Sequence, residues 1–420
     1  MIINKSSSFF PINQKIDFLF VTYGGGHLKA VLPVAKQLIN DGYSIYIFAL
    51  TTAVESLKDS NIPFFSYKDL PEAYEQKNIE LGIKLAKELE IRNNKTNVVS
   101  YEETIAYLGL NYIDLVKSFG KLKAQTDWLR EGRQIFYPIN LMTKIFKKLN
   151  PSMVISTNSP RSEKAAIDAC FNLKIKSVCI NDLFATQESA WLKNKNFANK
   201  LFVLNDRVKE SLVNLDRPPE DIIVSGNPAF DSLYDEKHLI NGKEIKKYMG
   251  LGNTNINILY ASTAEPEINV WTGDVSDVNL PIKIEETLRD FIRANKKTNL
   301  IIRRHPSQDQ NVITEDRVFQ SNQSQNINDI LNAVDIIVHA GSTVGLQGAL
   351  IGKSVINIEL STFSADLPLT KMGFGRSLFS LTDFEMVFNE EIKKKNSIKN
   401  ENFIKPNATN NIVREIIKLI

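Results

Sequence analysis

Short apolar runs alternating with amphipathic segments set the rhythm of this chain, and that rhythm limits the fold more than any single motif does. Within residues 16–22, Phe18, Leu19, Phe20 and Val21 are apolar at successive positions rather than at every second one, so the run needs cover on both faces. Strands of this kind belong to parallel sheets whose crossover helices supply the cover. Strands are predicted at 16–22, 43–50, 153–157, 177–181, 200–204 and 221–225, and again at 256–261, 299–303, 335–339 and 354–358. The first helix is expected over 28–40, closed by Gly42.

Two stretches depart from the rhythm. Between Pro71 and Asn150 helical periodicity replaces strands, with helices expected over 101–119 and 135–149, which predicts a helical insertion at 71–150. In 135–149, Phe136, Ile139, Met142 and Phe146 oppose Lys144, Lys147 and Lys148, a pattern that fits a core face first and a membrane surface second. The second stretch, 228–255, is polar and reads as irregular. Gly226-Asn227-Pro228 breaks either element, so the boundary is placed there. The expected domains are 1–226, 227–409 and a closing helix at 410–420, whose Ile412, Val413, Ile416, Ile417 and Ile420 need a surface to bury against.

A chain of 420 residues with 43% hydrophobic and 24% charged residues suits two soluble domains. Its net charge of +3 includes no basic tail, which argues against a nucleic-acid partner. Cys170 and Cys179, the only cysteines, form no metal-binding spacing. No signal peptide and no run of about 18 apolar residues is found, so a cytoplasmic protein is expected, meeting lipid only from the inner face of the membrane.

Three segments carry chemistry. In VTYGGGHLKAVLPVAKQL (21–38), Gly24, Gly25 and Gly26 join a buried strand to a helix and let the backbone approach a ligand, with His27 at the helix entrance. A tight turn with a capping histidine is the competing account. The spacing is not that of a dinucleotide fingerprint, and no acidic residue ends the second strand. In LIIRRHPSQD (300–309), a strand leads into Arg303, Arg304, His305 and Pro306, groups suited to a phosphate unless the turn is only a solvated basic one. In VDIIVHAGSTVGLQGALIGKSVINIE (334–359), Gly341, Ser342 and Thr343 open a helix whose N–H groups and hydroxyls form an anion site. Ser262 and Thr263 in LYASTAEPE, and Asp182 after SVCIN, are weaker candidates.

At these residues the sequence resembles GT-B glycosyltransferases. GGGH is similar to the glycine-rich loop of the enzyme that adds N-acetylglucosamine to the undecaprenyl-linked peptidoglycan precursor, and of diacylglycerol glycosyltransferases. IIVSGNPAFD resembles their interdomain segment, and HAGSTVGLQGALIGKSVI their donor-binding unit. In UDP-sugar members a glutamate holds the donor ribose where this chain has Gln347. His305-Pro306 followed by Ser342-Thr343 is instead similar to bacterial sialyl-, polysialyl- and capsule Kdo-transferases, with Arg130-Glu131-Gly132 a partial echo of their acidic pair and glycine.

The resemblance implies an α/β fold of two Rossmann-like, doubly wound domains facing across a cleft. It implies a metal-independent glycosyltransferase, without cofactor, that takes a UDP-sugar or a CMP-linked acidic sugar to a glycan or lipid-linked hydroxyl in surface-polysaccharide synthesis. Arg303, His305, Gly341, Ser342, Thr343, Gln347, Ser262 and Thr263 then bind the donor, Gly24 to Gly26 line the acceptor side, and His27 or Asp182 is the base. A nucleotide-sugar 2-epimerase, which would need several carboxylates around the sugar, and a non-catalytic partner subunit are the alternatives.

Overall fold

Phe18, Leu19, Phe20 and Val21 are all buried, so the strand they form is covered on both faces. The computed structural model describes residues 9–58, 60–93, 99–252, 255–269, 272–394 and 407–420. Two compact units result, one running to Ala229 and taking in the C-terminal helix, the other beginning at Phe230.

The first unit holds a seven-stranded parallel sheet. Its strands are β1 (Phe18–Thr22), β2 (Ile45–Ala49), β3 (Phe64–Phe65), β4 (Met153–Thr157), β5 (Lys176–Ile180), β6 (Lys200–Val203) and β7 (Ile222–Val224), in the order β3-β2-β1-β4-β5-β6-β7. Phe18 lies opposite both Ile45 and Met153. Phe18 and Phe20 join one core, with the helix Gly26–Asn40 and the C-terminal helix Ala408–Ile417. Leu19 and Val21 join the core on the opposite face, which the helices of 71–150 cover.

That insertion consists of Gln76–Asn93, Tyr101–Phe119, Lys121–Glu131 and Ile139–Leu149. The predicted helix 135–149 starts only at Ile139, because Pro138 precedes it and Phe136 sits in extended backbone. Its apolar residues Leu141, Met142, Ile145, Phe146 and Leu149 are all buried in the core, which leaves that face no part in a membrane contact. Among the described residues no helix is long and apolar enough to cross a membrane.

Glu103 ties the insertion to the sheet. Its carboxylate accepts hydrogen bonds from the backbone of Thr51, Tyr67 and Lys68 at 3.3, 3.4 and 3.1 Å, and burial pushes its pKa up to about 7. Glu103→Ala leaves the buried Tyr67 N–H and the part-buried Thr51 and Lys68 N–H groups without their acceptor, so it is expected to destabilise the protein by ~2 kcal/mol or more. A denaturation midpoint equal to that of the parent would show that these donors have other partners.

The second unit holds β8 (Ile256–Ala261), β9 (Thr298–Arg303), β10 (Val318–Gln320), β11 (Ile336–His339), β12 (Ser354–Ile358) and β13 (Arg376–Leu378), all parallel, in the order β10-β9-β8-β11-β12-β13. The stretch expected to be irregular contains a helix, Glu236–Tyr248. It packs on Ile327–Ala333, where a Cβ on Gly242 would lie 2.6 Å from the Asn332 Cβ. Both sheets reverse strand order beside their first strand, between β1 and β4 and between β8 and β11. Ligands of open α/β sheets bind at the carboxyl ends of such pairs.

Candidate functional site

In the first unit the carboxyl end of β1 leads through Tyr23, Gly24 and Gly25 into the helix Gly26–Asn40, which begins two residues earlier than expected. Gly24 is required by space, since a Cβ there would lie 2.6 Å from the Thr52 Oγ1 and within 2.9 Å of its backbone. His27 thus stands in the first helical turn, with its side chain 28% exposed.

His27 Nδ1 is 2.7 Å from the Thr157 hydroxyl at the end of β4. That hydroxyl donates to the Glu163 carboxylate, so its lone pair accepts the His27 Nδ1 proton and Nε2 is left as the basic nitrogen. Glu163 is fully buried and also accepts the backbone N–H of Tyr23 at 2.7 Å and of Ser159 at 3.0 Å. Asp182, just past β5, places Oδ2 3.9 Å from His27 Nδ1, against 3.8 Å for Glu163. Burial works to lower the His27 pKa, but Glu163, Asp182 and Glu188 outweigh it, and the net direction is upward.

The structure therefore brings His27 and Asp182 together and adds two groups that the sequence reading missed, Thr157 and Glu163. The segment TNSPRSEK was visible, but its relevance follows only from the pairing of β4 with β1. Arg130-Glu131-Gly132 does not join them. It ends the helix Lys121–Glu131, where Arg130 is exposed and paired with Asp127 and Glu131.

In the second unit β11 delivers His339 to the base of the glycine-rich turn. Its Nδ1 accepts the Ser342 backbone N–H at 3.1 Å and its Nε2 faces the Asn357 Oδ1 at 2.7 Å. Asn357 is fixed in turn by its own donation to Thr370 and to the Phe374 carbonyl. Burial pushes the His339 pKa down to about 4, so the ring is neutral and acts as a bracket for the turn. Gly341 has φ 69°, and a Cβ there would meet Phe363 at 2.8 Å. The helix Thr343–Leu350 follows, capped by the Ser342 hydroxyl, which accepts from the Val344 N–H. Thr343 is exposed and Gln347 partly so.

The His-Pro turn lies beside the loop after β8. Gln308 accepts from the His305 N–H at 2.7 Å and donates to the Ser262 hydroxyl at 3.0 Å, while Thr263 is partly exposed. His305 Nδ1 accepts the Ser307 N–H at 3.2 Å, so Nε2 carries the proton, and burial lowers the pKa of the ring. The turn thus offers a neutral N–H donor rather than the cationic cluster that the sequence suggests. Arg303 turns to the loop after β10 and donates to Ser321 and to the Asn322 carbonyl, both at 2.9 Å. Arg304 pairs with Glu285 at 2.6 Å.

Known structures of the same architecture include a UDP-GlcNAc 2-epimerase from Neisseria meningitidis bound to UDP-GlcNAc, with a TM-score of 0.54 at 16% identity, covering 96% of this chain and 99% of that chain. MnaA of S. aureus, solved with UDP, gives 0.58 at 12% identity, covering 97% and 98%. MurG of Acinetobacter baumannii gives 0.52 at 13% identity, covering 96% and 100%. The fold is GT-B. The profile of the family described as CDP-Glycerol:Poly(glycerophosphate) glycerophosphotransferase matches residues 174–346, a span that holds both the His305-Pro306 turn and the Gly341 to Thr343 helix start. A search of curated protein sequences returns no match. Together these likenesses support an enzyme of the transferase kind on a GT-B scaffold.

Proposed function

We propose that this GT-B chain transfers a group from a nucleotide-activated donor to a hydroxyl on a surface polymer. The observation that carries this reading is the His27–Thr157–Glu163 chain, which leaves a basic Nε2 at the switch point of the first unit. Such a nitrogen can take the proton of an acceptor hydroxyl as it attacks. The second unit then holds the donor phosphates through the N–H groups of Gly341 and Thr343, the hydroxyls of Ser342 and Thr343 and the His305 Nε2–H, with Ser262 and Thr263 beside them, while the Ser342 N–H stays with His339. Arg303, engaged with Ser321 and Asn322, supports that loop rather than the phosphate.

A cytidine nucleotide is favoured over a uridine one. The matching family profile is named for CDP-glycerol, whereas Gln347 is assigned to the ribose, which both nucleotides share. With a CDP-linked glyceryl donor, the acceptor oxygen attacks the distal phosphorus, the phosphoanhydride breaks, CMP leaves, and the proton goes to His27. With a CMP-linked acidic sugar the attack is on the anomeric carbon, and CMP again leaves. Neither route draws on a cofactor or a metal ion in this reading, because N–H donors meet the charge on the leaving phosphate.

Thermal-shift titration with CMP, CDP, UDP and GDP tests the donor assignment. A nucleotide at 100-fold its Kd adds about 2.7 kcal/mol of stability. The cytidine nucleotides are expected to shift the melting temperature most, and His305→Ala and the Ser342→Ala, Thr343→Ala pair to lose roughly 1.5 to 3 kcal/mol of binding each. Parental affinity in all of these variants would move the donor site elsewhere. Gln347→Ala should instead weaken nucleoside and nucleotide alike.

Glu163 and Asp182 beside His27 favour one second reading, 2-epimerisation of a nucleotide sugar, since Glu163 adds to Asp182 a carboxylate that the sequence motifs did not promise. Product analysis with donor alone separates the two, because epimerisation requires no acceptor.

A further inference from the structure

The first unit has a second strand-to-helix turn beside the His27 loop, and the transfer reading leaves it unused. β4 runs through Ser159, Pro160 and Arg161 into the helix Ser162–Leu173. Arg161 has φ 75° and ψ −118°. Gly25, at the matching place after β1, has φ 66° and ψ −131°. β1 and β4 are paired neighbours, so two turns of nearly one shape stand side by side at the point where strand order reverses. A sharp turn of this form lifts its central residue clear of the sheet, which is how some hydrolases expose a nucleophile.

Glycine adopts this conformation freely, whereas a residue with a Cβ is strained in it. At β4 an arginine occupies the position. Its guanidinium lies 5.4 Å from the centroid of the Tyr23 ring, and its Nε is buried without a hydrogen-bond partner. Among the described residues no carboxylate stands within ion-pair distance of it. Its charge reaches His27, whose pKa it pulls downward against the carboxylates. Glu163, the nearest acidic residue in sequence, faces inward to Tyr23, Thr157 and Ser159. The site thus holds a strained, planar, five-donor cation next to the base, and such a group matches the geometry of a phosphate oxygen pair.

We propose that Arg161 binds a phosphate group of the acceptor, adjacent to the hydroxyl that His27 activates. Calling that molecule the acceptor rests on the transferase reading, whereas the phosphate contact does not. The chemistry selects an acceptor that carries a phosphate close to its free hydroxyl, whether at the end of a phosphodiester polymer or on a lipid headgroup.

Binding to the full chain tests it, with sn-glycerol 3-phosphate as the soluble probe, phosphatidylglycerol vesicles as the lipid probe, glycerol as the neutral control and CMP as the donor-site control. The parent is expected to bind one of the two phosphate probes and to ignore glycerol. Arg161→Gly should weaken that binding by about 10-fold or more, as loss of a charge-assisted pair implies. Arg161→Lys should retain part of it. CMP affinity should stay at the parental value. Arg161→Gly should also melt a few degrees higher, because glycine relieves the strained turn, so loss of binding is not confused with loss of fold. Failure of both phosphate probes to bind the parent, or undiminished binding in Arg161→Gly, overturns the assignment. Failure of CMP to bind would instead count against the donor reading and leave the phosphate contact standing.

Discussion

Replacing His27 by alanine is expected to lower turnover by about 10²- to 10⁴-fold while nucleotide affinity stays within about twofold of the parent. The asymmetry follows from position: His27 belongs to the first unit, with Thr157 and Glu163, and the groups proposed to hold the donor phosphates all belong to the second. A base must be neutral to act, so kcat/KM should rise with pH through an apparent pKa above the ordinary 6.5 of imidazole, the direction that Glu163, Asp182 and Glu188 impose against burial. Asp182→Asn removes one of those charges and should move the rising limb to lower pH. A rate–pH profile that does not move in Asp182→Asn, or parental turnover in His27→Ala, would take the base role away from His27.

Gly345→Ala should be the most damaging conservative change in the second unit. A Cβ at Gly345 would lie 2.0 Å from the His339 Nε2 and 2.3 Å from its Cδ2. The ring cannot swing aside without losing Asn357 on one nitrogen and the Ser342 N–H on the other. Overpacking of this kind in a buried position costs ~3 kcal/mol. Because the same ring brackets the turn at Gly341 and Ser342, nucleotide binding should weaken along with stability. Chemical denaturation and calorimetry measure the two effects separately. A folded Gly345→Ala protein with parental nucleotide affinity would show that His339 does not set the phosphate turn.

The sheets were legible because their central strands are continuous apolar runs. β4, β8 and β12 match the expected ranges, and most of the others differ by one or two residues. β3, β10 and β13 were not predicted, since edge strands of two or three residues carry no period to read. The helix Glu236–Tyr248 escaped for a related reason. It buries only His238 and Gly242, so close backbone packing rather than an apolar stripe holds it.

At the candidate site, the loops after β1, β9 and β11 could be read from their glycines, histidines and hydroxyls. Thr157 and Glu163 could not, because they lie 130 and more residues from His27 and meet it only through strand order. The direction of Arg303 and Arg304 was also beyond the sequence, as it depends on Ser321 and Glu285 in distant elements. Nor does any residue pattern announce that Arg161 has a positive φ.

The C-terminal helix Ala408–Ile417 bears on how the chain is made. Ile412, Val413 and Ile416 complete a core whose other members include Phe18, Phe20, Val31 and Ile47, near the opposite end of the sequence. During synthesis the ribosome delivers the whole second unit before that helix, so the second unit can fold autonomously while the first still has one sheet face partly bare. The unit that starts first is therefore finished last. Its proposed base and phosphate-binding arginine stand on a sheet whose core closes only when the final turns of helix emerge.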